Sequence, residues 1–310
     1  MKRIVYILTT LFLLASCSSD ELVPVTQNDW TPNISRNATG GEELRIVGRK
    51  DGDIQFNKIL IPASDGGNAA WKKDDRPDGD KVANSDEFIA FAPAGNGLPA
   101  SIKHDGVTEY FVDHYNAKPN NAKPNSFTMY PLMSQLKLHV WVEGTEGEAP
   151  QNTCLLVYTE ADLDFPNKAF KENLSNRQRI NLGTFVFSGE LEQDGHRYKK
   201  YSMQTHIVVI PQTLPKGEEV LWFNIKDAQY YLKPEKDIKL KPGFITSLTL
   251  PVTYVKQEEE GGDSGEGGET VTPPAKKVIA IDESMVTITP WQPDSTINGF
   301  IPTPNNSDNN

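Results

Sequence analysis

The sequence predicts an all-β protein built from β-sandwiches. Short segments alternate apolar and polar residues, which is the period of a half-buried strand. Turn sequences rich in Gly, Pro, Asp and Asn separate these segments at short intervals, as in sandwich folds. A helical pattern is expected only for the short stretch 167–178.

The strand segments follow one another through the body of the chain. In "QLKLHVWV", Leu136, Leu138, Val140 and Val142 alternate with polar residues and Trp141, which indicates one buried face. The more uniformly apolar "FIAFAP" (88–93) and "TCLLVYT" (153–159) are typical of central strands.

The second half of the chain carries the clearest turn signals. Asp194-Gly195 lies between two strand patterns and predicts a hairpin. Leu221, Phe223 and Ile225 share one face of the next strand. A turn at Pro242-Gly243 precedes a last strand whose buried face is predicted to hold Phe244, Thr246, Leu248 and Leu250.

The amino terminus has the layout of an export signal. Met1-Lys2-Arg3 is positively charged, the apolar stretch 4–14 is too short to span a bilayer, and small residues follow. Leu14-Ala15-Ser16-Cys17 resembles the bacterial lipoprotein signal, in which the cysteine is lipidated and becomes the first mature residue. The alternative is an ordinary secretory signal with an incidental cysteine. The Ser and acidic residues at 18–21 resemble the surface-export signal of Bacteroidetes lipoproteins.

Composition excludes some classes of partner. The formal net charge of the 310 residues is −11, and removing Lys2 and Arg3 with the signal makes it −13. Such a chain is not expected to bind nucleic acid, because that affinity depends on Lys and Arg neutralising phosphates. Cys17 and Cys154 are the only cysteines, so a lipidated Cys17 leaves no disulfide within the chain.

Composition shifts divide the chain into segments. We predict a signal peptide (1–16), a tether or propeptide (17–45), an N-terminal sandwich (46–165), a C-terminal sandwich (166–255), an acidic Gly/Pro linker (256–277) and a β-prone segment with a polar tail (278–310). An isolated β-prone segment is unstable in water, so it must pair with its own domain or with the sheet edge of another molecule. As a donor strand to another molecule, it would use Val278, Ile279, Ile281, Met285, Val286, Ile288 and Trp291.

A search for chemistry yields no catalytic residue, metal site or cofactor. The five histidines have no metal-ligand spacing, and no nucleophile or phosphate-binding motif is present. "DDRPDGDK" (74–81) departs from a calcium loop at two defining positions and is interpreted as a solvated acidic turn. Cys154, in an apolar run, is interpreted as a buried inert thiol.

The body nevertheless resembles a known family. Ile210-Pro211-Gln212, the alternating strand 221–225 and the Leu240–Leu248 turn region resemble the C-terminal half of the fimbrillin-like lipoproteins of Bacteroidetes. "SFTMYPLMSQLKLHVWVEG" (126–144) is similar to part of their N-terminal domain, although Met133 stands where the family has His.

This resemblance implies two tandem transthyretin-like β-sandwich domains and a non-enzymatic role. The subunit would be a lipoprotein of the outer membrane, exposed at the cell surface, and a structural or accessory part of a type V fimbria that acts in adhesion. Its partners would be other pilus subunits, joined by strand addition after an arginine-specific protease cuts the N-terminal region. Arg45 or Arg49 is favoured over Arg36 as the cleavage site, and a stalk, tip or anchor role stays open.

Two other functions remain as alternatives. A surface glycan-binding lipoprotein would present exposed aromatic residues, with Trp141 and Trp222 as candidates. A hydrolase with carboxylates that meet only in space has no supporting motif.

Overall fold

The chain folds almost entirely into β-strands, which confirms the predicted fold class. A computed structural model describes residues 30–36, 42–62, 69–118, 122–144, 148–226, 228–253 and 276–290. The strands are, in chain order, β1 (Asn33–Arg36), β2 (Leu44–Lys50), β3 (Asp53–Ile61), β4 (Ala70–Trp71), β5 (Glu87–Ala92), β6 (Ser101–Lys103), β7 (Phe111–Asn116), β8 (Ser126–Pro131), β9 (Ser134–Glu143), β10 (Gln151–Asp164), β11 (Ala169–Phe170), β12 (Ser175–Asn181), β13 (Phe185–Gln193), β14 (His196–Met203), β15 (Ile207–Val209), β16 (Gln212–Leu214), β17 (Leu221–Ile225), β18 (Ala228–Pro234), β19 (Ile238–Leu240), β20 (Phe244–Thr253), β21 (Lys276–Ile281) and β22 (Val286–Pro290).

Helices are short in the described residues. Helix α1 (Gly79–Asn84) lies where the acidic turn was predicted, and the Asp78 carboxylate caps it by accepting the Asp80 N–H. The helical pattern predicted for 167–178 is wrong, because β11 and β12 occupy that stretch and pair with β10. A 3-10 helix, Glu283–Met285, joins β21 to β22. No helix in the described ranges is long and apolar enough to cross a membrane.

The strands form three large sheets. Sheet I has the order β1-β8-β7-β5-β2-β3-β4. Sheet II has the order β11-β10-β17-β18-β21, and β12 and β6 also pair with β10. Sheet III has the order β13-β14-β9-β20-β22, with β15 pairing β9, while β16 and β19 form a separate small pair.

Sheets II and III pack face to face around the largest hydrophobic cluster. The predicted faces of β9, β17 and β20 all point inward: Leu136, Leu138, Val140, Val142, Leu221, Phe223, Ile225, Leu248 and Leu250 are buried. The hairpin predicted at Asp194-Gly195 joins β13 to β14, and both turn residues have the positive φ that such two-residue turns need. β20 follows the turn at Pro242-Gly243 but pairs with β9 and β22 rather than with β19.

Sheet I buries residues on both faces. Neighbouring residues of β2 contact opposite layers: Ile46 belongs to a cluster with Trp71 and Phe88, and Val47 to a cluster with Leu163. Strands β9 and β10 belong to sheets III and II. The hydrophobic cluster around Ile46 in sheet I therefore ends at Met129, and the cluster between sheets II and III begins at Leu136. The domain boundary between 165 and 166 stays a prediction, since Leu163 of β10 also packs against sheet I. A strand's alternation shows which face is buried, but not which sheet the strand joins.

Polar contacts also join the two parts. The Lys168 ammonium, in the β10–β11 turn, lies 2.6 Å from the buried Asp113 carboxylate of β7 and stacks on the Tyr130 ring at 4.3 Å. The Gln135 amide of β9 donates to the Glu109 carboxylate at 2.9 Å. Burial and, to a smaller extent, the nearby Glu42 carboxylate raise the pKa of Glu109 to about 7, while the hydrogen bond from Gln135 acts in the opposite direction.

Glu109 makes the stability of this junction depend on pH. The folded protein holds the Glu109 proton up to pH 7, whereas the unfolded chain releases it near 4.5, so stability falls as the pH rises between these values. We expect Glu109→Gln to remove this loss, making the variant more stable than wild type at pH 8 but not at pH 4.5. Urea unfolding at both pH values measures the difference, with the exposed Glu172→Gln as the control. An equal effect of Glu109→Gln at the two pH values would contradict the assignment.

Candidate functional site

The N-terminal strand β1 forms one edge of sheet I. It pairs in parallel with β8, from Asn33 opposite Ser126 to Arg36 opposite Met129. Part of the predicted tether, residues 30–36, is therefore packed on the body. A parallel edge strand attached on one side only is the simplest strand to remove from a sheet, because no second ladder holds it.

Trp30 anchors this strand to the core. Its indole N–H donates to the Pro124 carbonyl at 2.8 Å, and its ring centroid lies within about 6 Å of Phe56, Trp71 and Phe88. The Trp71 indole N–H in turn donates to the Trp30 carbonyl at 3.1 Å. Loss of residues 30–36 would therefore expose an aromatic surface together with the backbone groups along β8. Polar residues surround Trp30 in the sequence, so no apolar pattern indicated that its side chain packs on the core.

The two favoured cleavage sites lie in an interior strand. β2 pairs with β3 on one side and β5 on the other. The Arg45 guanidinium is buried and donates to the carbonyls of Ala94 and Gly95 and to the Asn57 side chain, each at 2.6 Å. Arg49 is half-buried and lies 3.8 Å from the Glu87 carboxylate. A protease could reach either bond only after β2 had left the sheet.

Arg36 has a different position. It is the last residue of β1, so the bond that follows it lies at the end of the strand rather than within a ladder. Cleavage there would separate β1 from β2 without breaking any pair of sheet I. Among the three arginines considered, this geometry favours Arg36.

The C-terminal segment pairs within its own chain and covers an edge of each sandwich sheet. β21 runs parallel to β18 in sheet II, and β22 runs antiparallel to β20 in sheet III. The 3-10 helix between them crosses from one sheet to the other, and the Asp282 carboxylate caps it by accepting the Ser284 N–H.

Few side chains hold this segment in place. Ile281 is buried, with 2% of its surface exposed, and Ile279, Met285 and Val286 are partly buried against the core. Val278 and Ile288 are exposed, at 55% and 41%. Trp291 and the tail lie outside the described residues. The backbone ladders therefore supply much of the attachment.

Exposed ion pairs flank the same segment. The Lys276 ammonium lies 2.8 Å from the Glu219 carboxylate, and Lys236 lies 2.6 Å from Glu283. The hydrogen bond from Lys276 lowers the pKa of Glu219. Pairs at this exposure contribute little to stability.

A groove of about 420 Å³ runs between β22 and β19. Its lining includes Ile238 and Lys239 on one side and Ile281, Val286 and Ile288 on the other. This places an apolar depression beside the outer edge of the C-terminal segment.

The structure assigns no chemistry to the remaining motifs. Among the described residues, no three His, Cys, Asp or Glu side chains are grouped to hold a metal ion. Cys154 lies half-exposed on the outward face of sheet II and is not buried as predicted. Cys17, the predicted lipidation site, lies outside the described residues.

Several solved structures of Bacteroides proteins are similar to this chain. No family model and no curated protein matches it. One similar solved structure, a Bacteroides ovatus protein provisionally described as a cell adhesion protein, is 12% identical with a TM-score of 0.44, covering 71% of this chain and 90% of that one. Another of the same description from Bacteroides uniformis is 11% identical with a TM-score of 0.43, covering 82% and 92%. A fimbrial protein from Bacteroides ovatus is 14% identical with a TM-score of 0.35, covering 75% and 52%. At this level of similarity the comparison says nothing about what this chain binds.

The uneven burial of β21 leads to a direct test. We expect Ile281→Ala to lower the free energy of opening residues 276–290 by about 2–4 kcal/mol, because it leaves a cavity in the core. Val278→Ala, on the exposed face of the same strand, should change it by less than about 0.5 kcal/mol. Amide hydrogen exchange of β21 and β22 measures both. Equal protection in the two variants would show that Ile281 does not anchor the segment.

Proposed function

We propose that the protein is a structural or accessory subunit of a surface fimbria, lipidated at Cys17, which assembles by strand addition and acts in adhesion. The observation that carries the proposal is the placement of both terminal strands at sheet edges, each removable without breaking a central ladder. The resemblance of the body to fimbrillin-like lipoproteins supports the same role.

The N-terminal strand supplies the acceptor side of this scheme. Cleavage after Arg36 would free residues 30–36 and leave β8 as an unpaired edge beside Phe56, Trp71 and Phe88. An incoming strand would satisfy the freed N–H and C=O groups and refill the apolar space that Trp30 and Ile34 had occupied.

The C-terminal segment supplies the donor side. Its β-forming residues are held mainly by backbone pairing in the single chain. Pairing with a neighbour's sheet edge would replace these backbone hydrogen bonds with an equivalent set. Twenty-two residues separate Thr253 from Lys276. At roughly 3.4 Å per residue such a length extends at most to about 75 Å, enough to reach another subunit. A head-to-tail contact of this kind need not close, so it builds a filament.

Assembly can be tested with the soluble mature protein. After digestion with an arginine-specific protease, we expect ladders that resist heating in detergent, because each joint buries a complete strand. A truncation after Val255 removes the donor and should abolish them. Ladders that survive this truncation would contradict the donor role of residues 276–290.

Two arginine variants locate the cleavage within the same assay. Arg36→Lys should prevent both the cut and the ladders, whereas Arg49→Lys should behave like wild type. If Arg49→Lys prevented the cut and Arg36→Lys did not, the cleavage site would lie in β2.

Lipidation is testable separately in the cell. We expect an alkyne analogue of palmitate to label the wild-type protein and the Cys154→Ser variant, but not Cys17→Ser, which should also leave the membrane fraction. Label on Cys17→Ser would show that the anchor is attached elsewhere.

A further inference from the structure

We infer that the outward face of sheet III is a binding surface for an acidic polysaccharide. This surface, called the sheet III face below, is defined by the residues of β9 and β14 that point away from the core. Strand β20 separates it from the terminal strand β22, and the inference goes beyond the assembly role proposed above.

Alternation along β9 determines which residues belong to this face. Leu136, Leu138, Val140 and Val142 are buried between the sheets, so the residues between them point outward: Lys137, His139, Trp141 and Glu143. Residues directly opposite one another share a face, and Ser202, Lys200 and Tyr198 of β14 lie opposite His139, Trp141 and Glu143.

Aromatic rings form a row across the two strands. The ring centroids of Trp141 and Tyr198 are 6.4 Å apart, and those of Tyr198 and His196 are also 6.4 Å apart. Trp141 and Tyr198 are each partly exposed. Rings set along a flat sheet present apolar area against which the C–H face of a pyranose ring can pack.

The same face is basic, although the chain as a whole is acidic. Lys137 and Lys200 supply two ammonium groups, and neither forms an ion pair within the described ranges. Partial burial of each ring lowers the pKa of His139 and His206, and the positive charge of Lys137 lowers it further. His139 also contacts the Ser202 hydroxyl at 2.7 Å.

The charged groups on the neighbouring elements leave this character intact. Glu143 is the single acid of the face; it contacts His196 at 2.5 Å and accepts from the Thr253 hydroxyl at 2.6 Å. β20 contributes no charge, since Ser247, Thr249 and Pro251 lie beside Lys137, His139 and Trp141, and β22 contributes Thr287 and Thr289. Glu190 and Glu192 of β13 lie opposite Lys199 and Arg197, on the other side of the sheet.

Charge complementarity selects the occupant. Two lysines beside a row of aromatic rings match a polymer with one carboxylate or sulfate per sugar or per disaccharide. Nucleic acid carries one charge per roughly 1.7 Å of duplex, a charge density that the two lysines of this face do not match. The other candidate platform, Trp222, is buried, and the Arg179 guanidinium covers its ring at 4.3 Å.

The test uses the uncleaved mature protein, so its outcome is independent of assembly. Binding to polygalacturonate, dextran sulfate, neutral dextran and an oligo-dT strand is measured by biolayer interferometry at pH 7.5 and 5.5. We expect binding to the two acidic polysaccharides alone, at both pH values. Uronate, with a carboxyl pKa near 4, is ionised at each pH, and the lowered pKa of His139 and His206 opposes any gain of charge on these rings at pH 5.5.

Variants assign the binding to the face. Trp141→Ala and the double variant Lys137→Ala/Lys200→Ala should each weaken binding to polygalacturonate at least tenfold, with unchanged circular dichroism spectra. Lys103→Ala/Lys239→Ala removes two lysines elsewhere and should have no effect. Equal binding to neutral dextran, stronger binding to oligo-dT, or equal losses in the two double variants would each overturn the inference.

Discussion

Strand β10 is the constraint on which the rest of the structure depends. Its 14 residues span about 46 Å at 3.3 Å each. Leu155 and Val157 lie in the core between sheets II and III, whereas Leu163 packs against Val47 and Ile89 of sheet I. Because one extended strand enters both cores, neither half can be completed without the other.

The second constraint is that the exposed edges of the sheets must be covered. An unpaired edge offers N–H and C=O groups to any other strand, and here the terminal strands β1, β21 and β22 cover edges in all three large sheets. Each cover is weakly held compared with a central strand, which has ladders on both sides and fully buried side chains. The single chain therefore has protected edges, and in the proposed assembly these edges would be the joints between subunits.

Assembly and recognition would use different surfaces of the fold. Strand exchange involves backbone groups at the sheet edges, whereas the sheet III face presents side chains perpendicular to the sheet. Trp141 and Lys137 on that face belong to the same strand whose alternate residues build the core. Addition of a neighbouring subunit at β8 would leave this face uncovered.

The sequence by itself determined the local features of this protein. The alternation in β9, β17 and β20 identified the inward face of each strand, although Phe244 is only partly buried and Trp222, on the other face of β17, is buried as well. Asp194-Gly195 correctly marked a hairpin. Both signals depend on neighbours along the chain. Only the tertiary structure decided that β9 and β10 share a core with the C-terminal strands, that Trp30 anchors β1, and that Arg45 is buried. It also decided that Lys137, Lys200, His139 and His206 meet on one face. The physical reason is that strand pairing joins residues far apart in sequence, and a period of two specifies the face of a strand but not its partner.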